Sequence, residues 1–259
     1  MILEKAVIDN KMYNVLAKKY NTLDYSPRLV ELLRSVYPSM DFEDYSKYDL
    51  HRLLNDTLFE NYNGEEILKY KLSQKYFNRK DIVAAFEICV NNSRADFLTI
   101  NGHTRSYEIK SELDNLSKFS KQAADYMLAF EYNYLIIDER HTEKARELMP
   151  QSFGLWTYKN GNYKREKGAK LNEAMNPEVQ LKLLTKKERA FNFLNTGGNI
   201  KEILDSYDAL QINHHFKTIL KSRYKNRWEF LVRNNENILP IDTQFFFNTN
   251  VKPDYIYCS

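Results

Sequence analysis

The dipeptide Asn101-Gly102 sits between two runs of strand-forming residues, Asp96 to Ile100 and Thr104 to Lys110. Asn-Gly supplies the positive-φ residues that a tight chain reversal needs, so the stretch predicts a β-hairpin. The surrounding pattern extends it. Upstream, Ile82 to Val90 is a short apolar run interrupted by Glu87, consistent with a third strand. Before it, Asn63 to Phe77 predicts a helix that turns Ile67, Leu68 and Leu72 inward. Downstream, helical spacing over Leu113 to Phe130 precedes a strand at Tyr132 to Ile137, a helix at His141 to Met149 and a strand at Phe153 to Tyr158. This order gives an α/β unit over residues 61–160, a mixed central sheet flanked by helices.

The flanks read as helical additions. Residues 1–60 carry the helically spaced sets Met12–Leu16–Tyr20 and Leu29–Leu32–Leu33, broken by Asn21, Pro27 and Pro38. Residues 161–259 form a C-terminal, mainly helical region. It opens on a basic stretch, with Lys159, Lys164, Arg165, Lys167 and Lys170 set against Glu166, that predicts an exposed linker across 158–170. Thr185-Lys186-Lys187-Glu188 then spells a helix-capping box ahead of Ala190, Phe191 and Leu194. A further helix is expected from Tyr207 to Arg223 or beyond. The 19 Tyr and 15 Phe supply ample packing surface, so a folded core is expected rather than disorder. Two cysteines without a CxxC pair point to a reducing, cytoplasmic setting, with Cys89 buried in its apolar run. An early charge at Glu4 and the lack of a long apolar stretch predict neither a signal peptide nor a membrane span.

The chemistry lies in the hairpin. Alternate residues of a strand share a face, so Glu108 and Lys110 are neighbours while Tyr107 and Ile109 point away. Whether Asp96 joins them depends on register. A two-residue turn at Asn101-Gly102 pairs Ile100 with His103 and sets Asp96 opposite Tyr107. A three-residue loop pairs Ile100 with Thr104 and sets Asp96 opposite Glu108. The odd loop, or an equivalent bulge, is the expectation, because only that register assembles Asp96, Glu108 and Lys110. Carboxylates so placed are hard oxygen ligands for Mg2+ or Mn2+, and Lys110 can orient an attacking water and stabilise developing charge. These are the needs of phosphodiester hydrolysis. Glu87, a lone acid in an apolar strand, is a third candidate metal ligand.

Glu87, Arg94-Ala95-Asp96 and Tyr107-Glu108-Ile109-Lys110-Ser111 resemble the PD-(D/E)xK nuclease superfamily, with Ala95 in place of the proline. More narrowly, residues 64–158 look like a small bacterial and phage family within it, through Glu66-Ile67, Asp114 to Leu116, Gln122, Lys144-Ala145 and Pro150. The chain departs from that pattern at Ser152-Phe153-Gly154, where the family has Trp-Trp-Gly. The resemblance implies a restriction-endonuclease-like core and a metal-dependent nuclease with Asp96, Glu108, Lys110 and Glu87 at its centre. Gln122-x-x-x-Tyr126 also resembles a helix motif of RecB-like exonucleases. That implies a Gln122 that holds a phosphate or a metal-bound water, with Tyr126 beside it. Glu66 is a possible supporting acid, or one that favours its helix's positive end.

Arg94, Lys118 and Lys121 are candidate substrate contacts, as are Lys75, Arg79 and Lys80 before the first strand. The segment 217–233, with Lys217, Lys221, Arg223, Lys225, Arg227 and Arg233 around Tyr224 and Trp228, reads equally as a nucleic-acid surface or a solvated basic helix. A net charge of +3 makes local patches, not a whole-protein field, the means of binding. The expected function is Mg2+- or Mn2+-dependent cleavage of nucleic acid, DNA before RNA, in phage biology, mobile elements or defence. A homodimer or protein partner could use the helical additions. The alternative is a binding or protein-interaction module of the same fold with little or no turnover.

Overall fold

The computed structural model describes residues 10–112, 114–159 and 161–258. Among them are twelve α-helices and six strands: α1 (Asn10–Lys19), α2 (Ser26–Arg34), α3 (Lys47–Asn61), α4 (Glu65–Phe77), β1 (Val83–Val90), β2 (Ser93–Asn101), β3 (His103–Lys110), α5 (Phe119–Met127), β4 (Tyr132–Asp138), α6 (Thr142–Leu148), β5 (Gly154–Lys159), β6 (Asn162–Lys167), α7 (Pro177–Lys182), α8 (Lys186–Asn192), α9 (Ile200–Ser206), α10 (Ala209–Asn234), α11 (Thr243–Thr249) and α12 (Pro253–Tyr257). They divide into two compact units, one of residues 10–72 with 229–258 and one of residues 73–228. Thus the sequence segment 161–259 is shared out, its last thirty or so positions grouping with the N-terminal helices.

The first unit is helical. Tyr13, Leu16, Leu29, Leu33, Leu50, Leu54, Leu58 and Ile67 form its apolar core. Inside it Asp242, fully buried, accepts hydrogen bonds from Thr22 Oγ1 (2.7 Å), Tyr20 Oη (2.9 Å) and Tyr257 Oη (2.7 Å). The Tyr20 oxygen lies 2.7 Å from His51 Nδ1 and accepts from Asn55 Nδ2 at 3.2 Å. With Tyr20 donating to Asp242, the His51 Nδ1 proton is the one that points at Tyr20. A charge buried this deeply is tolerated only when its lone pairs are occupied, and three hydroxyls occupy them.

The second unit is built on a mixed sheet in the order β1-β2-β3-β4-β5-β6. Strands β1 to β3 are antiparallel neighbours, β3 to β5 run parallel and β6 returns antiparallel to β5. The parallel steps demand crossovers, and α5 and α6 provide them. Both pack on one face, where Phe119, Ala123 and Ala145 meet Leu135, Ile137, Phe153 and Leu155. The opposite face carries an aromatic ladder with a member from every strand: Phe86, Phe97, Tyr107, Tyr134, Trp156 and Tyr163. Neighbouring centroids lie 5.0 to 6.3 Å apart, and Tyr107 stacks on Tyr134 at an interplanar angle of 14°. Gly154 makes room for this ladder, since a Cβ there would meet the Tyr134 ring at 2.4 Å. Tyr76 of α4 and Trp228 of α10 cover Phe97 on that side, at 5.8 and 6.2 Å.

Several expectations need correction. The helix expected over Leu113 to Phe130 begins only at Phe119, and Leu113 lies outside the described residues. Asp114 Oδ2 accepts from the Ser111 backbone N–H (2.8 Å) and hydroxyl (2.7 Å), a local bond that competes with helix formation. The expected basic linker contains β6. Its lysines and arginine suit a sheet edge, where charge discourages further strand pairing. Cys89 is exposed rather than buried, because the face it shares with Glu87 opens to solvent at this end of β1. The Thr185–Glu188 capping box forms as spelled, yet Phe191 and Leu194 beyond it are exposed.

Candidate metal centre on the hairpin

The hairpin closes in the odd register. Ile100 pairs with Thr104 and Phe97 with Tyr107, so the next position places Asp96 opposite Glu108. Between β1 and β2, Phe86 pairs with Phe97 and Ile88 with Ala95, which sets Glu87 opposite Asp96. On the other side Glu108 pairs with Leu135 of β4. Three carboxylates therefore stand in one row across β1, β2 and β3, on the face that α5 covers. Nothing in a ladder of alternating side chains requires such a row, and mutual repulsion opposes it.

Each acid is held differently. A Glu87 oxygen and an Asp96 oxygen approach within 4.8 Å. Asp96 is buried, and its Oδ2 accepts from the Ile109 backbone N–H at 2.6 Å, so the carboxylate replaces a ladder partner where the hairpin strands diverge. Glu108 is 1% exposed; Lys110 Nζ donates to its Oε1 at 2.5 Å and the Tyr126 hydroxyl reaches its Oε2 at 2.6 Å. Burial works to lower the Lys110 pKa, but Glu108, with Asp96 and Asp114 behind it, outweighs this and raises it. Lys110 is thus a cation at neutral pH and not a base. Burial, and then the charge of Glu108, push the Tyr126 hydroxyl upward, so it stays a donor.

Glu87 adopts φ +59°, a left-handed conformation unusual for a residue with a Cβ. Strain of this kind gathers where side-chain direction matters more than stability. The substitution Glu87→Gly removes that strain, and we expect urea unfolding of this variant to show a gain of about 1 kcal/mol. Glu87→Ala, which keeps a Cβ, should not share the gain. A Glu87→Gly chain no more stable than Glu87→Ala refutes the strain argument.

Helix α5 supplies the second layer. Ser93 Oγ and Asn91 Nδ2 donate to Asp125 at 2.5 and 3.0 Å, pinning the helix to the β1–β2 turn. Tyr126, the next residue, also reaches the Arg94 carbonyl at 2.7 Å. Gln122 lies one turn before Tyr126, and its side-chain oxygen is buried without a hydrogen-bond partner. The Asp125 clamp carries no local sequence signal, whereas the Ser111-x-x-Asp114 spacing could have announced its turn. Arg94 is 64% exposed and ion-paired with Glu87. Lys118 and Lys121 are exposed at the start of α5, and Glu66 is exposed in the first turn of α4.

The basic segment 217–233 is largely spent on the fold. Lys217 donates to buried Glu131 at 2.8 Å, Lys221 to the Asp81 carbonyl at 3.1 Å, and Arg223 binds Glu188 and the Leu183 carbonyl. Trp228 is buried. Burial would raise the Glu131 pKa, but Lys217, the Thr104 N–H and Asn213 hold it low, as suits a latch between α10 and the sheet. Among the cations of Lys75, Arg79 and Lys80, Arg79 pairs with Asp81, and Lys75 lies over the Tyr163 ring at 5.1 Å.

Comparison with known families finds a match to the model of bacteriophage P4 protein cII over residues 54–246, most of the chain and all of the sheet. The chain belongs to the bacteriophage P4 protein cII family. No curated protein matches it. A solved structure, SPO1766, a protein of unknown function from Silicibacter pomeroyi, aligns at 16% identity over 45% of this chain and 77% of its own, with a TM-score of 0.33. The carboxylate row, Lys110, Gln122 and Tyr126 all fall inside the family match. No helix among the described residues of this family member is long and apolar enough to cross a membrane.

Proposed function

We propose that this phage-family protein is a metal-dependent nuclease that hydrolyses phosphodiester bonds, DNA before RNA, on a PD-(D/E)xK-type, restriction-endonuclease-like core. The observation that carries the reading is the register: it sets Glu87, Asp96 and Glu108 in one row with Lys110 on the same face. The donor set suits Mg2+ or Mn2+, being all carboxylate oxygen, and the orphaned Gln122 oxygen offers an acceptor for a metal-bound water or a phosphate-bound one. Glu87, Asp96 and Glu108 would hold the ion, which supplies charge neutralisation at phosphorus and an activated water. The Ile109 N–H fixes the Asp96 carboxylate, and Tyr126 fixes Glu108, so neither has to reorganise during reaction. Lys110, fully charged, stabilises the negative charge that develops on the phosphoryl oxygens.

A second reading has an observation of its own. Both Glu108 oxygens are engaged by Lys110 and Tyr126, which suits a metal-free polar cluster in a nucleic-acid-binding or protein-interaction module. Incubation with linear, nicked, supercoiled and single-stranded DNA, and with RNA, with and without Mn2+, separates the two. Mn2+-dependent cleavage that disappears in Asp96→Ala is the expected result. Cleavage that persists in that variant eliminates the centre, and no cleavage of any substrate leaves the binding module.

A further inference from the structure

Arg94 is a charged residue in contact with the row that hydrolysis does not use. Its guanidinium Nε is ion-paired with Glu87 Oε2, where the Glu87 side chain is 11% exposed and the Arg94 side chain 64%. Its backbone is fixed in the ladder, where Arg94 pairs with Cys89, and its carbonyl lies 2.7 Å from the Tyr126 hydroxyl. The root of the side chain is therefore tied to the site while its charged end is open to solvent. Glu87 also lies with an oxygen within 4.8 Å of one of Asp96, so a cation beside it sits among like charges that attract it. Arg94 is the cation paired with Glu87.

An exposed ion pair of this kind is weak, and a divalent ion at the same carboxylates outcompetes it. Once displaced, a guanidinium on a pinned backbone keeps its planar fork of donors, the geometry that grips a phosphate through two hydrogen bonds. We infer that Arg94 is a resident counter-ion: it neutralises Glu87 until a divalent metal binds, then swings out to hold a phosphate of the nucleic-acid backbone. This rests on the metal-dependent reading above and adds a regulated step to it, in which an empty centre is shielded and a loaded one gains a phosphate grip.

The inference demands effects of opposite sign from one substitution. The full chain and its Arg94→Ala, Arg94→Lys and Asp96→Asn variants would be titrated with Mn2+ alone, free Mn2+ being read by its paramagnetic resonance. Binding to a fluorescent single-stranded and a duplex oligodeoxynucleotide would be measured in Ca2+. Arg94→Ala should bind Mn2+ about threefold to fivefold more tightly, and the oligonucleotide about tenfold more weakly. Arg94→Lys, which keeps a cation but not the fork, should restore wild-type Mn2+ affinity and only part of the oligonucleotide affinity. Mn2+ affinity that is unchanged or lower in Arg94→Ala overturns the counter-ion role while leaving the metal centre standing. Wild-type chain that binds no Mn2+, or binds it equally well as Asp96→Asn, overturns the metal centre itself and this inference with it.

Discussion

On the proposed nuclease reading, replacing Lys110 by Met should lower the Mn2+-dependent cleavage rate by about a hundredfold to a thousandfold, with little change in KM. The effect follows from where the ammonium sits. Lys110 is 15% exposed, donates to Glu108 at 2.5 Å and is held protonated by that carboxylate with Asp96 and Asp114. It cannot serve as a base, so on that reading its contribution would be charge stabilisation and water orientation, which act on kcat. Met keeps most of the packing volume but takes from buried Glu108 the ammonium that its Oε1 contacts, so stability falls as well. Lys110→Arg separates the two losses. Arginine restores a partner to Glu108 and recovers stability, but its planar fork cannot reproduce a compact point charge, so the rate stays low. A Lys110→Met chain that cleaves at the wild-type rate, or one whose loss lies wholly in KM, shows that Lys110 is a structural partner of Glu108 and no more.

The hairpin is readable because turn chemistry and period-two alternation are local, but Asn-Gly by itself suits the even register as well. Asn101-Gly102 marks the reversal, and the demand that Asp96 face Glu108 selects the odd loop that Ile100 and Thr104 then show. The helix–strand order over the sheet was readable for the same reason. What escaped was set by competition or by distance. Ser111 and Asp114 bond to each other and delay α5, although the apolar spacing from Leu116 onward is helical. Strand β6 reads as a linker because an edge strand has one open side and can be as charged as a loop. Lys217, Lys221 and Arg223 look like a binding surface until their carboxylate and carbonyl partners are seen, and those lie on other elements. The Asp242 network joins residues up to 222 positions apart, and no local pattern announces it.

The same network yields a large stability effect. Asp242→Ala should destabilise the helical unit by about 3–5 kcal/mol, since Tyr20, Tyr257 and Thr22 lose a buried acceptor together. Its pH dependence is more diagnostic. Burial pushes the Asp242 carboxyl up to about 6, against the pull of its hydroxyl donors, and burial with Lys47 pushes His51 down to about 4. A carboxyl raised in the folded state loses stabilising proton uptake as pH rises from about 4 to 6, a fall of about 3 kcal/mol. A histidine lowered in the folded state does the reverse, and stability is lost as pH falls from about 6.5 to 4, by a similar amount. In the wild-type chain the two slopes oppose and largely cancel across this window. Asp242→Asn removes one of them, so its stability relative to wild type should rise by about 2 kcal/mol between about pH 4.5 and 7 in urea unfolding. His51→Gln should show the opposite trend, falling relative to wild type over the same range. Parallel curves for all three chains would mean that neither group changes its proton affinity on folding, and that the Tyr20–Asp242–His51 contacts act by packing alone.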